Sequence, residues 1–176
     1  RLVLVRREQI LDENLRREVV IDETRRSYQL DLDGITVPLD QLLKGSDFQA
    51  LEFASLLLLS AEIAGGLVGS IHCIVEYLNT RKAFDKIIGS YQALKHPTVK
   101  ILLDLEAMRS HLYHAATKLA EGNTDEAEVA LRMAKAHGSA AFSSAGDRAV
   151  QFHGGFGFTY ECDAQLYLRR ALWCQY

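Results

Sequence analysis

Cysteine and proline are scarce in this sequence of 176 residues, which contains three cysteines and two prolines. The cysteines form no CxxC pair and are odd in number, so neither a disulfide framework nor a thiolate metal site is indicated. Reduced thiols suit a cytoplasmic protein, and this is the location that we expect. Beyond residue 45 only Pro97 interrupts the sequence, which leaves room for long helices.

An excess of positive charge is also missing. The sequence has 20 Lys and Arg against 23 Asp and Glu, which gives a formal net charge of −3, and the two signs are interspersed. No surface for a polyanion is indicated, so we expect no nucleic-acid partner.

Charged residues are sparse between residues 53 and 78, which raises the question of a membrane span. Glu62 and Glu76 interrupt this apolar stretch. One acid at the centre of a bilayer costs about 2.5–3.5 kcal/mol. The stretch therefore predicts a helix buried in a bundle, and no membrane span.

Metal-binding patterns are absent as well. No glutamate has the Glu-x-x-His spacing that is typical of di-iron bundles. His111 and His114 share a helix face, but no carboxylate lies at the right offset, so we interpret them as polar surface or satisfied interior groups. We expect no metal site.

The first 44 residues alternate with period two and are rich in β-branched residues; Tyr28, Leu30 and Leu32 are one example. A few strands without a helix among them cannot bury two faces. Because the sequence begins with Arg1 and not with Met, we expect residues 1–44 to be the end of a truncated β-domain whose remainder lies upstream.

Residues 45–176 have the pattern of helices, which makes the predicted fold mainly α. The first predicted helix runs from about Asp47 to Thr80, and the second from near Pro97 to Gly122. The third begins after a cap at Asn123, with Glu126 placed to complete a capping box. The fourth runs from about Ala149 across a glycine turn to Tyr176. Short connections predict an antiparallel, up-down four-helix bundle. Ala61, Gly65 and Gly69 are spaced by four, which favours the close approach of a neighbouring element.

The glycine turn at residues 153–157, HGGFG, leaves two interpretations open. It lacks the third glycine of a dinucleotide fingerprint and follows a helix, which excludes a Rossmann site. A plain turn between helices and a turn that holds a phosphate-bearing cofactor both remain. Arg81, Phe84 and Gln92 favour the cofactor, because a guanidinium matches phosphate oxygens, a phenyl ring offers a flat face and an amide donates hydrogen bonds. Arg81 alone also suits a helix C-terminus, where the dipole favours a cation.

Two segments together resemble the acyl-CoA dehydrogenase family. RKAFDKIIGSYQALKH, residues 81–96, resembles the family's R-x-x-F-G-x-x-I-x-x-x-Q segment, and QFHGGFGFTYECDAQLYLRRA, residues 151–171, resembles its Q-x-x-G-G-x-G-[FY]-x-x-E segment. DETRRSYQLDLDGITVP, residues 22–38, looks like the end of the family's central β-domain. The resemblance implies that this chain is the C-terminal part of such a protein, without the amino-terminal helical domain and most of the β-domain.

FAD is the cofactor that the resemblance implies. It would be held by Arg81, Phe84 and Gln92 around the diphosphate, and by Gln151, Gly154 and Gly155 of a neighbouring subunit around the adenosine half. Glycines suit this role because main-chain N–H groups can approach phosphate or ribose closely. One departure is Asp85, where the family usually has Gly. A carboxylate there would repel a diphosphate unless it turned toward Lys82 or Lys86.

The family reaction, the α,β-dehydrogenation of an acyl-CoA thioester, needs a base for the α-proton. Many members carry a glutamate at the position that is Gln165 here, and an amide has no basic form at neutral pH. Other members place the base on the first bundle helix, at a position that is Ser55 here. Glu52, one turn earlier on the same helix face, is therefore our first candidate, and Asp163 is the second. Both acids also suit a helix start or a solvated surface. Arg170 stands where the family usually has Asp, which indicates an uncommon active site.

We therefore expect the C-terminal part of an FAD-dependent acyl-CoA dehydrogenase of fatty acid metabolism, with residues 1–44 ending the β-domain and residues 45–176 forming the bundle. The alternatives are a catalytically silent, FAD-holding subunit of a hetero-oligomeric dehydrogenase, and a bundle used only for assembly. The implied partners are an acyl-CoA substrate, an electron-transferring flavoprotein as acceptor, and further subunits in a homo- or hetero-oligomeric dimer or tetramer. The fragment alone is expected to be inactive.

Overall fold

This computed structural model describes residues 2–176, apart from the side chain of Ser46, and divides into two compact units. The first unit is Arg1–Ala54 and the second is Ser55–Tyr176. The predicted fold, mainly helical with a few short strands, is confirmed. The border between the units lies C-terminal to the domain border at residue 44 that the sequence predicts, and the assignment of residues 1–44 to a β-domain stays a prediction.

The first unit contains two short antiparallel strand pairs. Its strands are β1 (Leu2–Val3), β2 (Leu15–Glu18), β3 (Ser27–Leu30) and β4 (Leu42–Leu43). β1 pairs with β4 and β2 pairs with β3. Val19 and Leu39 are 97% and 88% exposed. The unit therefore leaves apolar surface that these two small sheets do not cover.

Four helices account for most of the remaining chain. They are α1 (Gly45–Thr80), α2 (Gln92–Ala120), α3 (Thr124–His153) and α4 (Ala164–Trp173). Lys118 near the end of α2 pairs with Glu126 in the first turn of α3. At mid-helix His137 Nε2 lies 3.2 Å from the carbonyl oxygen of Asp104, so α2 and α3 run antiparallel.

The second helix begins earlier than the sequence predicts. The main-chain N–H groups of Leu94 and Lys95 both donate to the carbonyl oxygen of Tyr91, at 3.1 Å, and form a first turn ahead of the proline. Pro97 therefore lies inside α2, and the predicted start near Pro97 is wrong. So close to the helix start, the missing N–H of proline removes only one hydrogen bond.

The third helix also extends further than predicted. Its cap is confirmed, since the side chain of Asn123 accepts a hydrogen bond from the N–H of Glu126 at 3.2 Å. The predicted start of a fourth helix near Ala149 is wrong, because Ala149 and Phe152 continue the buried face of α3. The helix ends at Gly154, whose φ of +60° does not continue an α-helix.

A hairpin that the sequence analysis did not predict connects α1 and α2. It consists of β5 (Lys82–Ala83) and β6 (Lys86–Ile87), which pair antiparallel. The two loop residues, Phe84 and Asp85, have φ angles of 52° and 60°. Two positive angles in a two-residue loop are typical of the I′ turn, in which glycine and asparagine are favoured over phenylalanine. The sequence therefore carried a weak signal for this turn.

Glycines on α1 let aromatic rings from other helices approach its backbone. A β-carbon at Gly66 would lie 2.2 Å from the ring of Phe142 on α3, and one at Gly69 would lie 2.5 Å from the ring of Tyr167 on α4. The predicted row of small residues is only partly correct, because Gly65 has nothing within 4 Å of such a β-carbon. The residue next to it, Gly66, makes the closest approach.

By length and hydropathy alone, the segment Asp47–Thr80 of α1 is able to cross a membrane, with a mean hydropathy of 1.7 and 28% of the tested window buried. Core helices of soluble proteins meet the same criterion. Within α1, Glu62 pairs with Arg170 of α4 at 2.5 Å. This ion pair and the buried Ile63, Leu67 and Ile74 support the interpretation of α1 as a bundle helix.

Candidate functional site

A groove of about 580 Å³ lies in the second unit, where the end of α1 meets the end of α3. Its walls include Tyr77, Arg81, Gln151, His153, Gly154 and Gly155. Four of the predicted cofactor-binding residues, which are far apart in the sequence, thus share one surface. None of the residues that line the groove is acidic.

Arg81 enters the groove from a main chain that is held on both sides. Its N–H donates to the carbonyl oxygen of Tyr77 at 2.9 Å, which extends the α1 hydrogen-bond pattern by one residue. Its own carbonyl oxygen accepts from the N–H of Ile88 at 2.9 Å, across the β5–β6 hairpin. The hairpin thus fixes the backbone of Arg81, while the residue itself is exposed.

The opposite part of the groove is the turn that follows α3. Gly154 and Gly155 are both exposed, and a β-carbon on either would meet nothing within 4 Å. The N–H of Gly157 donates to the carbonyl oxygen of Gly154 at 2.9 Å. At Gly157 a β-carbon would lie 2.4 Å from the carbonyl oxygen of Val150, so the turn folds back against α3. Its outer side is accessible main chain.

A buried histidine connects this turn to α1. His153 is 6% exposed, and its ring stacks on Tyr77 with ring centroids 4.1 Å apart. Nδ1 of His153 lies 2.7 Å from the carbonyl oxygen of Ala149, and Nε2 lies 3.7 Å from Sγ of Cys73. Burial, with the neighbouring Cys162, Asp163 and Glu76, raises the pKa of Cys73 to about 11. The thiol is therefore protonated at neutral pH and able to donate to Nε2.

Phe84 and Gln92 are not among the residues that line the groove. Phe84 is 89% exposed at the tip of the β5–β6 hairpin, and Gln92 is exposed in the first turn of α2. Their contact with a cofactor stays a prediction. The sequence analysis missed Tyr77 and His153, although Tyr77 lies one helical turn before Arg81 and His153 immediately precedes the glycine pair.

The domain family described as "Acyl-CoA dehydrogenase, C-terminal domain" matches residues 56–175. This match covers more than half of the chain and contains the whole groove. The chain belongs to the acyl-CoA dehydrogenase family. Its N-terminal limit almost coincides with the start of the second compact unit at Ser55.

Relatives and solved structures agree with the family. The acyl-CoA dehydrogenase IpdE2 of Mycolicibacterium smegmatis is 32% identical over 151 residues, which are 86% of this chain and 44% of IpdE2. A chain in the structure of the electron-transferring flavoprotein of Acidaminococcus fermentans is 26% identical, with a TM-score of 0.83 over 92% of this chain and 44% of that chain. An FAD-dependent dehydrogenase structure is 30% identical, with a TM-score of 0.62 over 65% of this chain and 30% of that chain. The chain spans less than half the length of each of these proteins.

The candidate bases of this acyl-CoA dehydrogenase chain lie in different surroundings. Glu52 is a partly buried residue of α1 in the first unit. Asp163 is exposed and directly precedes α4. Gln165, in the first turn of α4, is 6% exposed, and its Oε1 has no hydrogen-bond partner. None of the three lines the groove. The roles of Glu52 and Asp163 stay predictions.

Arg170, the second departure from the family pattern, contacts α1. Its Nη1 lies 2.5 Å from Oε1 of Glu62, and both side chains are about 30% exposed, at 27% and 31%. Partial burial weakens solvent screening of the pair. Since Gly69 packs on Tyr167 and Glu62 pairs with Arg170, α4 runs antiparallel to α1.

Among residues 2–176 there is no group of three or more His, Cys, Asp or Glu side chains that could hold a metal ion. Cys162 and Cys174 are buried. His111 instead lies against His137, with ring centroids 5.3 Å apart.

Proposed function

We propose that the full-length protein is an FAD-dependent acyl-CoA dehydrogenase and that the groove of the second unit holds the diphosphate and adenosine half of FAD. The observation that carries this proposal is the presence of Arg81 and the Gly154–Gly155 main chain in one groove. A guanidinium and accessible main-chain N–H groups are common partners of phosphate oxygens. The 30% identity to a solved FAD-dependent dehydrogenase supports the same cofactor.

The charge of the groove fits a diphosphate. Arg81 is cationic, and no lining residue is acidic. Asp85, the carboxylate that the sequence analysis considered repulsive, is not among the lining residues. Asp85 lies instead in the loop of the β5–β6 hairpin, with a φ of 60°.

When bound, FAD would supply the acceptor for the hydride that leaves the β-carbon of an acyl-CoA thioester. The residues of this chain would bind and orient it. Arg81 would neutralise the diphosphate, Gln151 would offer an amide to the adenosine half, and the ring of Phe156, 43% exposed at the groove, would offer an apolar wall. The family resemblance assigned Gln151, Gly154 and Gly155 to a different subunit from Arg81, but all four line one groove of this chain. We propose that the whole groove serves the FAD of a neighbouring subunit.

Removal of the α-proton needs a carboxylate, and we propose Glu52 first and Asp163 second. Gln165 is excluded as a base because an amide does not take up a proton at neutral pH. We further propose an electron-transferring flavoprotein as the acceptor and a cytoplasmic location.

Arg81→Ala in the full-length protein tests the cofactor site. Loss of a charge-assisted contact worth about 1.5–3 kcal/mol raises the dissociation constant for FAD by roughly 10- to 150-fold. Bound flavin is measured by absorbance after gel filtration, and the dissociation constant by titration of the apoprotein. Lys82→Ala is the matched control, since Lys82 is an adjacent exposed cation that does not line the groove, and it should bind FAD normally. A wild-type protein that takes up no flavin at micromolar FAD would refute the proposal.

The silent-subunit alternative is favoured by one observation, the buried amide of Gln165 at the position where many relatives have a glutamate. Anaerobic mixing of the FAD-loaded protein with a panel of acyl-CoA thioesters separates the two functions. Bleaching of the flavin by any of them supports the dehydrogenase. A stable flavin spectrum with every thioester, together with co-purification of a homologue, supports the silent subunit.

A further inference from the structure

The two sides of the groove come from segments that are far apart in the chain. Arg81 follows α1, and Gly154 and Gly155 follow α3. A diphosphate can be held by both only if their separation is maintained, because a hydrogen bond weakens steeply when its geometry departs from the optimum. The residues that connect the two sides therefore matter even where they do not touch the ligand.

Tyr77 and His153 form that connection. Their rings are stacked at 4.1 Å between centroids and 28° between planes. Tyr77 Oη also lies 3.4 Å from the carbonyl oxygen of His153, so the tyrosine can donate a hydrogen bond to the residue that precedes the glycine pair. On the other side, the carbonyl oxygen of Tyr77 accepts the N–H of Arg81. One residue thus contacts both sides of the groove.

The histidine is held in a single orientation. A carbonyl oxygen only accepts, so the Nδ1–H of His153 donates to the carbonyl oxygen of Ala149, and in a neutral imidazole Nε2 is then the acceptor nitrogen. The Cys73 thiol, which its raised pKa keeps protonated, faces that acceptor at 3.7 Å. A ring that is 6% exposed and has partners at both nitrogens cannot rotate without losing them.

We propose that Tyr77 and His153 are positioning residues that set the distance between the Arg81 guanidinium and the main chain at Gly154 and Gly155, with Cys73 holding the imidazole from behind. This inference rests on the proposed function for the identity of its ligand, FAD. The physical contacts that it uses belong to the protein alone, so part of the test needs no ligand.

The first test is a double-mutant cycle in the full-length protein, with FAD as the ligand. We expect Tyr77→Leu to raise the dissociation constant for FAD by about tenfold in the wild-type background and by less than about twofold in the Arg81→Ala background, because interacting residues are not additive. Tyr77→Phe keeps the stacked ring and should restore most of the affinity. His153→Leu gives the same cycle from the other ring and keeps the test available if Tyr77→Leu does not fold.

A control separates positioning from a loss of stability. Phe142→Leu also removes a buried ring from the bundle, where Phe142 packs on Gly66, but it does not line the groove. It should lower the melting temperature, while its effect on FAD binding should be small and independent of Arg81. If Tyr77→Leu behaves in the same way, or if its effect adds fully to that of Arg81→Ala, the positioning role is wrong.

The second test uses the apoprotein. Amide hydrogen exchange at residues 154–157 should be about tenfold faster or more in Tyr77→Leu than in the wild type, since the turn loses its support from α1. Exchange in the middle of α2 should not change. Unchanged exchange at the turn would overturn the inference even if FAD binds. If the wild type binds no FAD, the proposed function fails, and exchange at the turn still decides whether Tyr77 and His153 hold it.

Discussion

Cys73 is a thiol of low reactivity close to the proposed cofactor groove. Its thiol faces His153, an arrangement that resembles a nucleophile and its base, but burial and neighbouring acidic groups raise its pKa to about 11. The folded protein thus favours the neutral thiol, and a thiolate forms only in strongly alkaline solution. The arrangement is suited to donating a hydrogen bond and not to nucleophilic attack.

We predict that iodoacetamide modifies Cys73 about 100-fold more slowly in the folded protein than in urea at pH 8, because the thiolate population falls tenfold for each unit by which the pKa rises from 9.0 to about 11. The rate in the folded protein should rise with pH up to about pH 11. Mass spectrometry of the Cys73 peptide gives both rates. A folded-state rate that levels off near pH 9 would contradict the assignment.

The second residue-scale prediction concerns the base. In full-length protein that is active, Glu52→Gln should lower turnover by about 10²- to 10⁴-fold, the usual contribution of a general base, and leave bound FAD in place. Gln165→Ala is the comparison and should have a far smaller effect. Turnover is measured with an artificial electron acceptor. Wild-type rates in both variants would shift the assignment to Asp163.

At the scale of elements, neighbouring glycines on α1 have opposite environments. Gly66 faces the Phe142 ring, whereas a β-carbon on Gly65 would meet nothing within 4 Å. The difference arises because successive residues of a helix point about 100° apart. Substitutions at Gly65 and Gly66 therefore compare an open and a packed environment at neighbouring positions of one helix.

We predict that Gly66→Ala destabilises the protein by about 1–3 kcal/mol, the usual effect of overpacking a core. Gly65→Ala should instead be neutral or stabilising by up to about 1 kcal/mol, because alanine has the better helix propensity. Urea denaturation of both variants measures the difference. Equal stabilities would mean that α3 does not pack on α1 through Phe142.

At the scale of the whole molecule, α1 exposes apolar surface that the bundle does not cover. Leu58 is 70% exposed and Val75 is 39% exposed, with the exposed Ala61 and Gly65 between them. Contiguous apolar patches on a surface often mark an interface.

We predict that the full-length protein forms a symmetric oligomer in which α1 contacts the same surface of a second subunit, as in other isologous interfaces. Leu58→Glu should shift light scattering toward the monomer. Val129→Glu, at a residue of α3 that is 60% exposed, is the matched control and should leave the assembly intact. A wild-type monomer at micromolar concentration would count against both the interface and a cofactor site shared between subunits.

Local sequence signals determined much of this protein. The helical character after residue 45, the cap at Asn123 and the strand character before residue 44 were predicted, because each depends on neighbours within a few residues. The positions of the strands were not, since β2 and β4 lie where the sequence analysis placed none. The two motifs around Arg81 and Gly154 also indicated the family from the sequence alone. The limits of the helices were harder to predict. α2 begins before Pro97, with a first turn held by main-chain hydrogen bonds to Tyr91. α3 continues past Ala149, because packing of its buried face outweighs weak local signals.

Only the tertiary structure decided which residues meet. The stack of Tyr77 on His153 joins two segments 76 residues apart, and no periodicity in either segment predicts it. Sequence also did not show that Gly66, and not Gly65, faces an aromatic ring. Nor did it show that Phe84 lies outside the groove that Arg81 lines. The physical reason is that helix spacing specifies which residues share a face, whereas the rotation and the partner of that face are set by how all the helices pack together.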